Sequence, residues 1–127
     1  MKPHRESIYS NAFVHKNPVP AASRVGNMIF SGIIYGRDAE TLIVPDDIDA
    51  QCALLFSHIK TIIEDAGGTL EHIAKITFWM RDKNERETVN HHWLRYFPDP
   101  ASRPARHTIE EAGSGNIRIQ CDFIAVL

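Results

Sequence analysis

The segment Ser102–Thr108 has the residue types and spacing that most clearly suggest chemistry. Arg106 stands two residues after Pro104, whose restricted backbone holds the start of a predicted strand. A guanidinium held in this way presents a planar fork that binds a carboxylate through two charge-assisted hydrogen bonds. From the spacing alone, surface or interface ion pairs made by Arg103 and Arg106 are the more ordinary explanation, and carboxylate binding is the alternative.

Histidines and cysteines are the other candidates for metal or nucleophilic chemistry. His91 and His92 are neighbours on a predicted helix, so their side chains point about 100° apart and do not face one metal. The i, i+4 spacing of a helical zinc site is missing as well. Cys52 and Cys121 lie within predicted apolar elements, so we expect them to be small core residues. We therefore predict no metal site.

A long helix is the clearest element that must support these residues. Its apolar residues are spaced by four, three, four, three and four positions, which places them on one face. They are Ile48, Cys52, Leu55, Ile59, Ile62 and Ala66. Asp46 or Asp47 is expected to cap its start, and Gly67-Gly68 to end it. A second helix, capped by Asp82 or Asn84, is predicted to end near Phe97.

Strands are predicted where short apolar runs lie between glycine- or proline-rich turns. These runs are Met28–Gly32, Ile33–Tyr35, Lys75–Met80, Ala105–Glu110 and Ile117–Val126. The order β-β-α-β-α-β-β predicts one α+β domain over residues 1–127, with two helices packed on one face of a sheet. Because both faces of the strand Lys75–Met80 are apolar, we also expect self-association.

Composition restricts the class of protein. The chain has 127 residues, 43% of them hydrophobic, and its 14 basic and 16 acidic residues give a net charge of −2. This balance argues against a nucleic-acid partner bound through a strong positive field. No apolar run is long enough for a transmembrane helix, so we expect no membrane partner. The residues Met1–Glu6 lead into no signal peptide, so we expect a cytoplasmic protein with reduced thiols.

Five motifs in one order show a resemblance to a known family, from about Asn17 to the end of the chain. They are Gly26–Gly32, Ala66–Gly68, Thr88–Asn90, Pro104–Arg106 and Ile117–Gln120. In these motifs the chain resembles the RidA/YjgF family of reactive-intermediate deaminases. The resemblance implies a chorismate-mutase-like α+β fold and a homotrimer around a central barrel, with active sites between subunits. It also implies hydrolysis of 2-imino or 2-enamino carboxylates to 2-keto acids and ammonia, without a metal or organic cofactor.

The resemblance assigns roles residue by residue. Arg106 matches the family arginine that binds the substrate carboxylate, and Asn90 matches a helical asparagine that faces the same site. Ser31 and Gly32 match the end of an early strand that supplies hydroxyl and backbone contacts. Thr108 stands where many members have a cysteine whose backbone is used.

Two positions depart from the family pattern. Val19 replaces a tyrosine, and Gln120 replaces the glutamate that positions or activates the hydrolytic water. Gln120 can accept a hydrogen bond from water but cannot take its proton, so weaker turnover on simple imino acids is expected. Asp122, two residues further along the predicted strand, is an alternative base, although an interface ion pair is the preferred interpretation. The implied catalytic residues are Arg106, Gln120, Ser31 and Asn90, and the implied substrate-binding residues are Arg106, Gly32, Thr108 and Val19.

Three classes of function follow from these residues. The first is an imine and enamine deaminase that acts on a small carboxylate substrate. The second is a non-catalytic sensor of small carboxylates, which kept Arg106 and lost the base. The third is a ribonuclease or chaperone-like role claimed for some relatives, against which the missing basic patch argues. A variant of the first class is a deaminase of the 2-aminomuconate type, because Val19 leaves room for a larger ligand.

Overall fold

The computed structural model describes residues 3–127, which form one mixed sheet and two α-helices. The strands are β1 (Arg5–Ile8), β2 (Ala22–Val25), β3 (Met28–Ser31), β4 (Ile34–Tyr35), β5 (Ile73–Met80), β6 (Ala105–Glu110) and β7 (Ile119–Val126). The helices are α1 (Ile48–Asp65) and α2 (Arg86–Tyr96). The strand order is β1-β2-β3-β7-β5-β6, and β4 pairs with β7 beyond β3. Among the strand pairs of residues 3–127, only β5–β6 is parallel.

Both helices pack on one face of this sheet, as the sequence predicts. The apolar stripe of α1 is buried, and the Phe56 ring of α1 lies 5.9 Å from the Phe78 ring of β5. Trp93 of α2 contacts the same Phe78 ring edge-on at 6.2 Å. The predicted α+β fold is therefore confirmed. No helix within residues 3–127 combines the length and the apolar character of a membrane span.

Local signals at the ends of α1 explain where it begins and ends. The Asp47 side chain caps its start by accepting a hydrogen bond from the N–H of Ala50 at 3.0 Å. Gly67 ends the helix with a φ of +92°, a conformation that favours glycine. Near the start of α1, a Cβ on Gly36 would lie 2.3 Å from the Gln51 carbonyl oxygen. Glycine at position 36 therefore lets α1 lie directly against the end of β4.

Two regions differ from the prediction. Asp82 caps a single 3-10 turn (Lys83–Glu85), and α2 begins only at Arg86. Local patterns do not predict β1 and β2, because their sequences, Arg-Glu-Ser-Ile and Ala-Ser-Arg-Val, lack an apolar run. They form by pairing with each other, and β2 with β3 across the Gly26-Asn27 turn. The backbone ladder, rather than side-chain burial, defines this edge of the sheet.

The sheet face opposite the helices, here called the open face, is largely apolar. Its central part consists of Met28, Phe30, Lys75, Thr77, Trp79, Gln120, Asp122, Ile124 and Val126, which pair side by side across β3, β7 and β5. Met28, Phe30 and Val126 are each about 40% exposed in the single chain, at 38%, 40% and 41%. An apolar surface of this kind favours association with another chain.

A candidate active site in two halves

Arg106 projects from the edge strand β6 on the side that carries the helices, because it pairs with buried Ile76 of β5. Its Nη1 donates a hydrogen bond to Asn90 Oδ1 of α2 at 2.8 Å, and its Nε points to Thr108 Oγ1 at 3.4 Å. The guanidinium carbon lies 5.3 Å from the centre of the Trp93 ring. The structure thus brings together three predicted residues, here called the Arg106 cluster: Arg106, Asn90 and Thr108.

The Arg106 cluster leaves one edge of the guanidinium available. Arginine has five N–H donors, and within residues 3–127 the Nη2 group of Arg106 has no hydrogen-bond partner. No carboxylate of the described chain forms an ion pair with it. Partial burial, and secondarily the charge of Arg86, lowers the pKa of Arg106. A held, partly desolvated guanidinium with a free edge is suited to bind an anion.

Arg103 lies in a different environment from Arg106. Its Nε donates to the carbonyl of Phe97 at 2.9 Å and its Nη2 to the carbonyl of Pro98 at 3.2 Å. It therefore satisfies acceptors where α2 ends. Of the two arginines in this segment, only Arg106 presents a free edge beside Asn90. Spacing alone favours an ion pair for these arginines, but within residues 3–127 no carboxylate forms one with Arg103 or Arg106.

Arg86 belongs to the surroundings of this cluster although none of the five motifs places it there. Burial lowers the pKa of Arg106 most, and the positive charge of the Arg86 guanidinium lowers it further. The signal in the sequence is the spacing of four residues between Arg86 and Asn90, which places both on one face of α2. The spacing points to the cluster only in combination with the contact between Asn90 and Arg106.

Ser31 and Gly32 form the second half of the candidate site, at the end of β3. The Ser31 Oγ accepts a hydrogen bond from the buried N–H of Phe123 at 2.8 Å and donates to the Gly32 carbonyl at 2.9 Å. It thereby fills the gap between the β3–β7 and β4–β7 ladders. Gly32 donates its N–H to the carbonyl of Ala21 at 2.9 Å. The Ser31 hydroxyl is thus part of the sheet's hydrogen-bond network.

Val19 lies in the segment that leads into β2. It is 45% exposed and lines a groove of about 690 Å³ between residues 9–21 and the end of α1. No residue of the Arg106 cluster lines this groove. His15, also on its wall, has its Nε2 about 4.0 Å from where a Gly32 Cβ would stand. Val19 and Gly32 therefore lie in one neighbourhood, apart from the Arg106 cluster.

Gln120 and Arg106 do not meet within one chain. Gln120 pairs with Trp79 and Tyr35 and faces the open side of the sheet, whereas Arg106 faces the helices. Strand β5 lies between β7, which carries Gln120, and β6, which carries Arg106. The backbones of β6 and β7 are therefore two strand spacings apart, roughly 9–10 Å. Asp122 shares the open face, where burial raises the pKa of its carboxyl, partly offset by Lys75. A small substrate cannot touch both Arg106 and Gln120 of a single chain.

Most of the histidines and cysteines named above as candidates for chemistry are buried in the core, as is Trp93. His92 is buried, and its Nε2 lies 2.7 Å from Asp49 Oδ1 of α1, whereas His91 is exposed. Cys52 and Cys121 are buried free thiols. Burial, with a smaller effect of nearby acids, raises the pKa of Cys52 to about 12. Trp93 is core and also forms one wall of the Arg106 cluster.

Comparison with known proteins identifies the family. The family model described as Endoribonuclease L-PSP matches residues 9–126. The chain belongs to the RidA/YjgF family. A RutC family protein from Pyrococcus abyssi is 36% identical over 104 residues, which cover 77% of this chain and 80% of the relative. The YjgF gene product of Escherichia coli has the same fold, with a TM-score of 0.87, 28% identity, and coverage of 95% and 98% of the two chains.

Several relatives within this RidA/YjgF family have names that state an activity, and one of them serves as the example. It is the 2-iminobutanoate/2-iminopropanoate deaminase of Escherichia coli, 33% identical over 104 residues that cover 80% of this chain and 81% of that protein. The family recognised from the five motifs is thereby confirmed. The family includes imine deaminases, and the Arg106 cluster is the feature of this chain most suited to such a substrate.

Proposed function

We propose that this protein hydrolyses 2-imino carboxylates, and the enamines in equilibrium with them, to 2-keto acids and ammonia. The main support is the free Nη2 edge of Arg106, held by Asn90 and set against the Trp93 ring. A carboxylate bound to this edge holds the adjacent C=N carbon of the substrate at a fixed distance from the Arg106 guanidinium. The imine deaminase among the relatives supports the same reaction class.

The reaction needs a grip on the substrate and a positioned water. The substrate R–C(=NH2+)–COO− and water give R–CO–COO− and NH4+, so no electrons are exchanged. Arg106 orients the substrate by its carboxylate, which converts an encounter into a positioned complex. An imine is largely protonated near neutral pH, so it needs little help from an acid. Water adds to the C=N carbon, and one of its protons passes through solvent to the nitrogen, which becomes –NH3+. Ammonia then leaves as the hydroxyl oxygen gives up the second proton to form the keto group, and that proton converts the ammonia to NH4+.

Gln120 positions the attacking water in this proposal but does not act as a base. Its Oε1 can accept a hydrogen bond from the attacking water and so orient it, but an amide does not take the proton. The residue is on the open face, away from Arg106 of the same chain. A complete site in this proposal therefore joins the Arg106 cluster of one subunit to Gln120, Ser31 and Gly32 of another.

The proposed assembly is a homotrimer with three such sites. The apolar open face supports self-association, and β6 places Arg106 at the edge of the sheet, where a neighbouring chain can approach. Closed rings of identical subunits use one surface against a different surface of the neighbour. Such an interface brings different parts of two chains into every site.

The direct test generates 2-iminopropanoate from alanine with an amino-acid oxidase and catalase. Semicarbazide captures the imine that survives, so faster hydrolysis lowers the captured amount. We expect the native protein to accelerate hydrolysis, and Arg106→Ala to lower kcat/KM about a hundredfold or more, because two charge-assisted hydrogen bonds of about 1.5–3 kcal/mol each are lost. Arg95→Ala, which removes an exposed arginine of the same α2, is the matched control.

A carboxylate sensor is the second candidate, because Gln120 provides no carboxylate beside the water. A sensor would bind propanoate or butanoate through Arg106 without accelerating imine hydrolysis. Titration calorimetry with these carboxylates, run beside the kinetic assay, separates the two functions. Binding that depends on Arg106 without acceleration would exclude the deaminase and support the sensor.

A further inference from the structure

A second guanidinium belongs to the surface around Arg106. Arg86 is the first residue of α2, and Asn90 lies four residues later, one turn along the same helix. Residues with this spacing are neighbours on a helix face, with their Cβ atoms about 5–6 Å apart. Because Asn90 Oδ1 is 2.8 Å from Arg106 Nη1, the helix face that carries Arg86 is also the face that Arg106 contacts.

Glu87 lies near this pair of arginines without forming an ion pair with either of them. Within residues 3–127, neither guanidinium has a carboxylate within 4.0 Å. Glu87 is the acid that contacts the cluster, and its Oε1 accepts a hydrogen bond from Asn90 Nδ2 at 3.3 Å. Glu110, on the helix-facing side of β6, accepts the backbone N–H of Lys83 at 3.1 Å.

Two neighbouring guanidinium ions repel each other, and the repulsion is stronger where one of them is partly desolvated. The Arg86 charge lowers the pKa of Arg106, after the larger effect of burial. A ligand with two negative groups relieves this repulsion, whereas a monocarboxylate occupies only the free edge of Arg106. Arginine is also the side chain best suited to bind carboxylates at two points.

We infer that Arg106 and Arg86 bind the two carboxylates of one ligand, so that the preferred substrates are dicarboxylic 2-imino acids. Arg106 holds the carboxylate beside the C=N carbon, and Arg86 holds the distal carboxylate. The imine part of this inference rests on the proposed function, whereas the preference for a dianion does not require hydrolysis. Arg86 is therefore a specificity-determining residue.

The kinetic test compares two imines made in situ. L-Glutamate oxidase yields 2-iminoglutarate, and an amino-acid oxidase yields 2-iminobutanoate from 2-aminobutanoate, both with catalase. We expect kcat/KM to be at least about tenfold higher for the dicarboxylate, the effect of one charge-assisted hydrogen bond. Arg86→Gln should remove most of this ratio, and Arg86→Lys should retain part of it. Arg95→Gln removes the same charge from an exposed position of α2 and should leave the ratio unchanged.

A binding measurement makes the two proposals separable. Glutarate and butanoate are the probes in titration calorimetry at one ionic strength. A preference for glutarate that Arg86→Gln removes supports the dianion site, whether or not an imine is hydrolysed. If no imine is hydrolysed, only the deaminase is refuted. Hydrolysis with no dicarboxylate preference, or with a preference that Arg86→Gln leaves intact, overturns the inference and leaves the deaminase standing. Failure of both assays overturns both.

Discussion

The Ser31 hydroxyl offers a prediction that the structure makes quantitative. Ser31→Ala removes the acceptor of the Phe123 N–H, which lies in a residue only 1% exposed. A buried donor left without a partner costs about 1–3 kcal/mol of unfolding free energy. Unfolding entropy of about 2.1 cal/mol/K per residue converts this loss to a Tm lower by roughly 4–11 °C for a chain of this length.

Urea and thermal unfolding at a fixed protomer concentration measure this loss, since oligomerisation makes stability depend on concentration. Ser31→Thr keeps the hydroxyl and should retain most of the stability. Ser7→Ala changes an exposed serine of β1 and is the matched control, with an expected change within about 0.5 kcal/mol. If Ser31→Ala unfolds like the control, the hydroxyl does not hold β3 against β7, and the structural role assigned to it is wrong.

The remaining predictions concern Gln120 and His58. Gln120→Glu supplies a base beside the proposed water and should raise kcat for 2-iminopropanoate about tenfold or more; unchanged turnover would remove water activation from the proposal. Burial, with a smaller effect of the Arg37 charge, lowers the pKa of His58, while its hydrogen bond to the Arg37 carbonyl and the Asp38 carboxylate oppose the shift. Below about pH 6.5 the His58 of the unfolded chain binds a proton that the folded chain does not bind. The stability that the neutral, buried His58 contributes is therefore complete above about pH 6.5 and is lost as the pH falls towards the lowered pKa. The free energy of unfolding, measured with urea, should fall less between pH 7.5 and pH 5.5 in His58→Gln than in the native protein. An unchanged slope would mean that other groups cause the fall.

Much of the fold follows from local patterns that also decide the core. The stripe that ends at Ala66 predicts α1 because the same residues must be buried together, and Asp47 and Gly67 act locally at its ends. Strand β1 has a single buried residue, Ile8. Its place in the sheet depends on backbone pairing with β2, which no pattern within four residues reveals.

The candidate site was predictable residue by residue but not as an arrangement. The motifs mark Arg106 and Asn90, yet their contact joins two residues that lie 16 positions apart in the chain, on different elements. The separation of Arg106 from Gln120 depends on the register of β5 between β6 and β7. A shift of one residue in that register would reverse the face, and spacing alone does not fix it.

In the proposed assembly, each active site combines Arg106 of one chain with Gln120 of another. The most direct test of this shared site uses hetero-oligomers of Arg106→Ala and Gln120→Leu chains, co-expressed with different tags and purified on both. In a trimer that contains both kinds of chain, one cleft in three has the native Arg106 and Gln120 together. We expect each variant alone to be nearly inactive on 2-iminopropanoate, and the mixed trimers to regain about a third of the native turnover. Mixed oligomers no more active than the average of the two variants would contradict the shared site.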